Sequence, residues 1–481
     1  VNPLAVLMPG FEGTTLPEWL DALLREGLAG VCLFATNVES PEQLRMLTSA
    51  IYAANPHAVV TIDEEGGDVT RLYQAAGSPF PGNGILGRLD DESLTAAVGE
   101  QVGRELADVG VGMTLAPDAD VNSTALNPII GARSFGADPA AAARHTAAWV
   151  HGVESTGVAS CAKHFPGHGS TVQDSHLALP RIDVDAETLW ARDLPPFAAA
   201  IQAGTQAIMS AHIVVPALDA EFPATFSRPI LRDLLRDRMG FRGVVVSDAL
   251  DMAGASAVRG IPAAAVAALH GGCDLLCIGT ANTDTQMRAI AAAIANAVEA
   301  GEIDGAEARA AADRVVDLGT RLARARSAAR TPVVVEPGVV PGVTAEVVAR
   351  AFDVSAHARN AIARNHPISL IRLETAPSIA VGASPWGPFA VPGVEAVVTV
   401  TPHTDPESVA DAVPAGSLAI VIGRDNHRHA VARPVVDALL ARHDVVVVDM
   451  GWPDPDAGLA DIATYGASRL AGQALLDVVG W

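Results

Sequence analysis

Ala159-Ser160-Cys161-Ala162 leads without a break into Lys163-His164-Phe165-Pro166-Gly167-His168-Gly169. A short apolar run with no polar alternation suits a strand buried on both faces, and here polar residues arrive where that strand would end. Comparable runs recur along the first 320 residues: Ala5–Met8, Gly30–Phe34, Ala58–Ile62, Gly112–Leu115, Ala207–Ser210, Gly243–Val246 and Leu275–Ile278. Ala-rich helical segments separate them. Eight buried parallel strands with intervening helices, in roughly 300 residues, predict a (β/α)8 TIM-like barrel.

The polar residues obey the same rule. Asp63 follows the third run, Lys163 and His164 the fifth, His212 the sixth, and Ser247 with Asp248 the seventh. In such a barrel the carboxyl ends of the strands share one face, so motifs far apart in sequence converge on one pocket. An open doubly wound sheet is the competing architecture, but no Gly-x-Gly-x-x-Gly phosphate turn follows the first run. Arg314 to Arg330 reads as a last amphipathic helix, and residues 331–345 have the Pro/Gly density of a linker. Further strand-like runs follow at Ile379–Gly382, Ala396–Val400, Leu418–Ile422 and Val445–Val448. The division is therefore a barrel over 1–330, a linker over 331–345, and a smaller layered α/β domain over 346–481.

Bulk composition narrows the classes of partner. A net charge of −23 and a pI near 4.9 repel nucleic acid and anionic membrane surfaces, though solubility alone accounts for them. Cys32, Cys161, Cys273 and Cys277 all fall in apolar runs and read as buried reduced thiols; the spacing of the last two lacks the second pair a zinc site needs. No stretch reaches eighteen uninterrupted apolar residues, and residues 1–4 lack a basic, apolar leader. A soluble, cytoplasmic protein is expected.

Lys163 is the only lysine, although the chain holds 32 lysines and arginines together. A position that keeps a compact ammonium against this arginine bias needs the ammonium itself. Within the same window, Asp174 and His176 stand two apart in a Gly-rich polar loop. A carboxylate beside an imidazole can fix its tautomer and stabilise its protonated form, which makes a general acid/base unit; a simple turn is the plainer alternative. Asp248 at a strand end suits a nucleophile or a charge stabiliser, or else a helix N-cap. Asp63-Glu64-Glu65 suits polyol hydrogen bonding or a hard cation. Arg71 and Arg133 suit a polar substrate, or plain surface ion pairs. His164, His168, Asp174 and His176 could also be drawn as a zinc set. Pro166 and Gly167 keep the first two off a common helical face, and Lys163 opposes a cation, so no metal and no organic cofactor is expected.

Together, Asp63-Glu-Glu-Gly-Gly67 with Arg71-Leu72, Gly131-Ala-Arg-Ser-Phe-Gly136, Lys163-His-Phe-Pro-Gly-His-Gly169 with Asp174-Ser-His176, and Val246-Ser-Asp248 resemble glycoside hydrolase family 3, in its β-N-acetylglucosaminidase (β-N-acetylhexosaminidase) branch. The resemblance implies a retaining exo-enzyme with Asp248 as nucleophile and His176, oriented by Asp174, as acid and then base. It implies Asp63, Arg71, Arg133, Lys163 and His164 as ligands of a terminal N-acetylglucosamine. Residues 463–467 resemble the end of the family's C-terminal αβα sandwich, which leaves the extra domain to line the pocket, set chain-length preference or mediate a homodimer. The expected partner is a β-N-acetylglucosaminide. Because a neutral base repels an anionic acceptor less than a carboxylate does, phosphate is an alternative acceptor, which would make the protein a phosphorylase. A catalytically silent sugar-binding protein is the alternative from another class. Glu64 and Asp68 stand where family members often carry Gln and a basic residue, which implies a more negative field near the pocket.

Overall fold

The computed structural model describes residues 2–173, 179–257, 259–328, 336–364, 366–375, 378 and 380–481. Eight short strands occupy the first part: β1 (Leu7–Pro9), β2 (Gly30–Leu33), β3 (Val59–Ile62), β4 (Met113–Thr114), β5 (Cys161–Phe165), β6 (Ala207–Ser210), β7 (Val244–Ser247) and β8 (Leu276–Gly279). All of their pairings are parallel. β2–β3–β4 form one sheet, β5–β6–β7 another, and β1 pairs with β8. Single parallel bridges, Met113 to Ala159 and Val246 to Leu275, link β4 to the start of β5 and β7 to the start of β8. Ala29 N donates to Leu4 O at 2.9 Å just before β2 and β1. At the first register position of β2 and β3, a Cβ on Gly30 would stand 2.0 Å from Val59 O, so only glycine allows that approach.

Alternation along each strand sorts side chains into two cores. Met8, Cys32, Val59, Met113, Cys161, Met209, Val246 and Cys277, at least one from each of the eight strands, share a single apolar cluster. The strand neighbours Leu7, Val31, Val60, Ala162, Ile208, Val245 and Leu276 point into a second cluster, with the surrounding helices. Helix Gly305–Ala328 sends Val315, Leu318 and Leu322 into the first. The four cysteines are buried and unbridged, as their apolar setting predicts.

The later part is a six-stranded sheet. Its strands are β9 (Asp353–Val354), β10 (Ile368–Leu373), β11 (Val398–Val400), β12 (Leu418–Gly423), β13 (Asp444–Asp449) and β14 (Ile462–Ala463), in the order β11-β10-β12-β13-β14-β9. Only β9, at an edge, is antiparallel. Leu370, Ile420, Val446 and Val448 pack on helix Arg469–Val479, while Ile371, Val421, Val445 and Val447 pack on helices Pro406–Ala412 and Ala432–Leu440. Both faces are thus covered, as a mainly parallel sheet requires. Ile85, from helix Asn83–Leu89 of the first part, joins the former cluster.

One expected strand is not there. Ala380–Gly382 forms a turn, and Ile379 lies outside the described residues. The strand falls instead at Ile368–Leu373, where Ser369 and Arg372 interrupt the apolar pattern. Gly382 has φ +72°, which turns the chain away from an extended path. Among the described residues no helix is long and apolar enough to cross a membrane.

Candidate active site

Asp63, Arg71, Arg133, Lys163, His164 and Asp248 line one cavity of about 630 Å³. Asp63 is the first residue beyond β3, Lys163 and His164 lie on β5, Asp248 is the first beyond β7, and Arg133 ends the 3₁₀ turn Gly131–Arg133. Motifs up to 185 positions apart in the chain therefore meet at the carboxyl ends of parallel strands. The volume suits a ligand of one or a few rings.

A chain of alternating charges builds the wall. Lys163 Nζ donates to Asp63 Oδ1 at 2.7 Å and stands 2.9 Å from Glu65 Oε1. Arg133 closes a fork on Glu65 through Nε at 3.0 Å and Nη2 at 2.7 Å, and Nη2 lies 3.4 Å from Asp118. The side chains of Glu65, Lys163 and Arg133 are at most 5% exposed, so each charge persists because its neighbours neutralise it. Burial alone would raise the Asp63 carboxyl, but Lys163 and Arg71 outweigh it and hold the group low. Glu65 is likewise held well below the usual range by Arg133 and Lys163 against its burial. Burial pulls the Lys163 ammonium down, yet Asp63 and Glu65 push it above its ordinary value, so it stays charged. The two arginines are not surface ion pairs; both are buried.

Arg71 is held from the far end of the chain. Its Nη2 donates to Ala380 O at 2.8 Å and lies 3.8 Å from Asp63 Oδ2. Ala380 itself lines the cavity, and Gln74 Nε2 donates to Ala383 O at 2.5 Å beside it. The turn that replaces the expected strand is thus part of the pocket wall.

Behind His164 sits a second buried group. His164 Nδ1 lies 2.7 Å from Asp120 Oδ2, and Asp120 Oδ1 accepts from His168 N at 2.6 Å. Burial, reinforced by Arg133, pulls the His164 imidazole down to about 4. His168, with Nδ1 2.8 Å from Thr171 Oγ1, is pulled to about 4 by burial. Both rings are neutral at neutral pH. Asp118, Asp120 and His164 bring one ligand atom each within 4.8 Å of one another, the spacing of a metal site. The Asp120 oxygens already take His164 Nδ1 and backbone N–H groups, and Arg133 stands beside Asp118, so a cation would meet occupied ligands and a like charge.

Asp248 caps no helix, since helix Ala253–Ser256 begins after Met252. Its Oδ1 accepts from Ala249 N at 2.8 Å, and its N donates to Ser210 O at 3.3 Å. His212 spans the gap behind it, with Nδ1 2.8 Å from Thr225 Oγ1 and Nε2 3.0 Å from Ala249 O, which pins the turn that carries the carboxylate. Asp174 and His176 lie outside the described residues. Glu64 faces away from the cavity: Oε2 accepts from Thr70 Oγ1, Arg71 N and Leu72 N, and burial pushes its carboxyl up to about 7. Asp68 lines a neighbouring cleft with Arg424 and is raised to about 6 by burial. Glu64 and Asp68 thus lie outside the lining of this cavity.

Glu65, Asp118, Asp120 and Ala380 were not singled out individually from the sequence. Asp118-Ala119-Asp120 lies a few residues beyond the fourth strand, a weaker signal than Asp63 directly after the third.

The glycosyl hydrolase family 3 N-terminal domain model matches residues 14–318. The β-hexosaminidase A of Pseudoalteromonas piscicida is 35% identical over 335 residues, covering 64% of this chain, and the match spans 56% of that longer protein. The β-hexosaminidase of Alkalilimnicola ehrlichii is 37% identical over 281 residues, covering 57% of this chain and 80% of that one. A glycoside hydrolase family 3 β-N-acetylglucosaminidase from Paenibacillus sp. str. FPU-7 superposes with a TM-score of 0.85 at 27% identity, over 100% of this chain and 96% of that one. With the family model spanning well over half its length, the chain belongs to glycosyl hydrolase family 3 and is a glycoside hydrolase.

Proposed function

We propose that this protein is a retaining exo-β-N-acetylglucosaminidase. Its first 330 residues form a closed (β/α)8 barrel, residues 331–345 a linker, and residues 346–481 an αβα sandwich. Support for the barrel comes from eight parallel strands in three sheets, two of them extended by single bridges from β4 to β5 and from β7 to β8, that send side chains into one shared cluster. The observation that carries the function is the convergence of Asp63, Arg71, Arg133, Lys163 and His164 on the cavity that also receives Asp248. Fixed donors and acceptors around one polyol-sized space suit a single sugar ring, and the names of the similar proteins point to N-acetylglucosamine.

In the proposed reaction Asp248 attacks the anomeric carbon as His176, oriented by Asp174, protonates the leaving oxygen. The glycosyl–Asp248 ester forms as the glycosidic bond breaks. Water, deprotonated by His176 as base, then attacks the anomeric carbon as the glycosyl–Asp248 bond breaks and returns the Asp248 carboxylate, and the net configuration is retained. The roles of Asp174 and His176 rest on the sequence resemblance. The Asp63–Lys163–Glu65–Arg133 chain fixes its donors before substrate arrives, so little reorganisation is left for the bound state.

The test is release of phenol from an aryl β-N-acetylglucosaminide, with the anomer of the first product read by NMR. The expected first product is the β-anomer, with activity lost in Asp248→Ala. Trapping the covalent intermediate on a residue other than Asp248 sinks the mechanism, and binding without release by the wild type sinks the enzyme.

A further inference from the structure

We infer that Asp120 is a positioning residue that locks His164 in its Nδ1–H tautomer and so presents Nε2 to the sugar pocket as a hydrogen-bond acceptor. The inference rests on the reading of His164 as a substrate ligand. Asp120 itself is fully covered and does not line the cavity.

The geometry leaves little choice of proton position. Asp120 Oδ1 accepts from His168 N at 2.6 Å, and both oxygens lie 3.3 Å from His164 N, so backbone donors already face this carboxyl. The remaining close contact is His164 Nδ1 to Oδ2 at 2.7 Å. Backbone N–H groups face the Asp120 oxygens as acceptors, and a carboxylate has no proton to give, so the 2.7 Å contact requires the proton on Nδ1. Burial holds the Asp120 carboxyl above its ordinary value, even though His168 and the backbone N–H groups of His168 and His164 act in the opposite sense. The ring is neutral, so a proton on Nδ1 means none on Nε2. Nε2 has no hydrogen-bond partner among the described residues, and His164 lines the cavity.

This changes what the pocket can recognise. Lys163, Arg71 and Arg133 can only donate, and Asp63 and Glu65 are already engaged by them. A neutral His164 acceptor supplies the complementary half: a sugar hydroxyl can donate to Nε2 while it accepts from a neighbouring cation. A fluorine in the same place can accept but has no proton to give.

The experiment uses the full chain with ¹⁵N-labelled histidine. Long-range ¹H–¹⁵N spectra report the tautomer of each ring, and His164→Asn assigns the signal. Wild type is expected to show Nδ1–H at His164. In Asp120→Asn the amide oxygen is held where Oδ1 was by the His168 and His164 N–H groups, which turns the amide NH₂ toward Nδ1. The ring is then expected to switch to Nε2–H. Kinetics on monodeoxy and deoxyfluoro aryl β-N-acetylglucosaminides supply the second readout. At the hydroxyl that faces His164, the wild type is expected to treat the fluoro analogue no better than the deoxy one. Asp120→Asn is expected to favour the fluoro analogue by about five- to tenfold, the worth of one neutral hydrogen bond. Nε2–H at His164 in the wild type overturns the inference. So does a tautomer unchanged in a folded Asp120→Asn. If the tautomer behaves as expected but no ring position distinguishes deoxy from deoxyfluoro between the two proteins, the role of Asp120 stands and the reading of His164 as a ligand fails.

Discussion

Lys163→Arg probes the pocket at its most crowded point. The ammonium stands 2.7 Å from Asp63 Oδ1 and 2.9 Å from Glu65 Oε1, and its side chain is 4% exposed. Two of its three N–H donors are committed, which leaves one for a ligand. Arginine keeps the charge but brings a planar fork, and the other side of Glu65 is already filled by the fork of Arg133. Forcing the larger group into a packed wall costs about 1–3 kcal/mol of stability. Losing one charged hydrogen bond to the sugar costs about 1.5–3 kcal/mol in the transition state. At about 1.4 kcal/mol per decade, the second figure is roughly a 10- to 150-fold fall in kcat/KM. Initial rates on an aryl β-N-acetylglucosaminide measure it, with thermal melting by circular dichroism to show that the variant folds. A variant kinetically indistinguishable from wild type would refute the argument that this position requires a compact ammonium.

Two further outcomes are expected. Glu64 is buried with Oε1 lacking a partner, and burial raises it from 4.5 to about 7, so the folded state holds a proton that the unfolded state has released between those values. Its cost to stability is therefore absent below pH 4.5, grows as pH rises toward 7 and is complete above; Glu64→Gln should melt higher than wild type at pH 8 by the equivalent of roughly 2–3 kcal/mol, and the gain should vanish near pH 4. A gain that does not change with pH counts against this account. Gly382→Val forces a β-branched residue to φ +72° and should displace the Ala380 carbonyl from Arg71. The expected readout is a KM raised several-fold with melting lowered by the equivalent of about 1–2 kcal/mol, and an unchanged KM counts against a role for the Arg71–Ala380 contact.

What the sequence disclosed, it disclosed through local pattern. Val244-Val245-Val246-Ser247-Asp248 shows both a buried strand and the carboxylate at its end, and the cavity holds that carboxylate. Asp120 carries no such mark. It follows the two-residue strand Met113–Thr114 and acquires meaning because its loop runs beside β5, where Ala119 N donates to Lys163 O at 2.6 Å. That proximity is tertiary, and no spacing along the chain encodes it. Ile379–Gly382 failed for the opposite reason: an apolar run resembles a strand, but its carbonyl at Ala380 is spent on Arg71 rather than on a ladder. Glu65 was visible only as one of three adjacent acids. Its fork to Arg133 and contact with Lys163 depend on the meeting of β3, β5 and the 3₁₀ turn.

The reach of Arg71 across 309 positions to Ala380 also sets a clock. A ribosome that has finished β8 at Gly279 must add roughly 100 more residues before that carbonyl exists, about 5–20 s at ordinary elongation rates. Throughout that interval the Arg71 guanidinium lacks the acceptor that holds it in the folded protein. The final placement of Arg71 thus waits on a later part of the chain that gives the cavity only the Ala380 segment and none of its charged side chains.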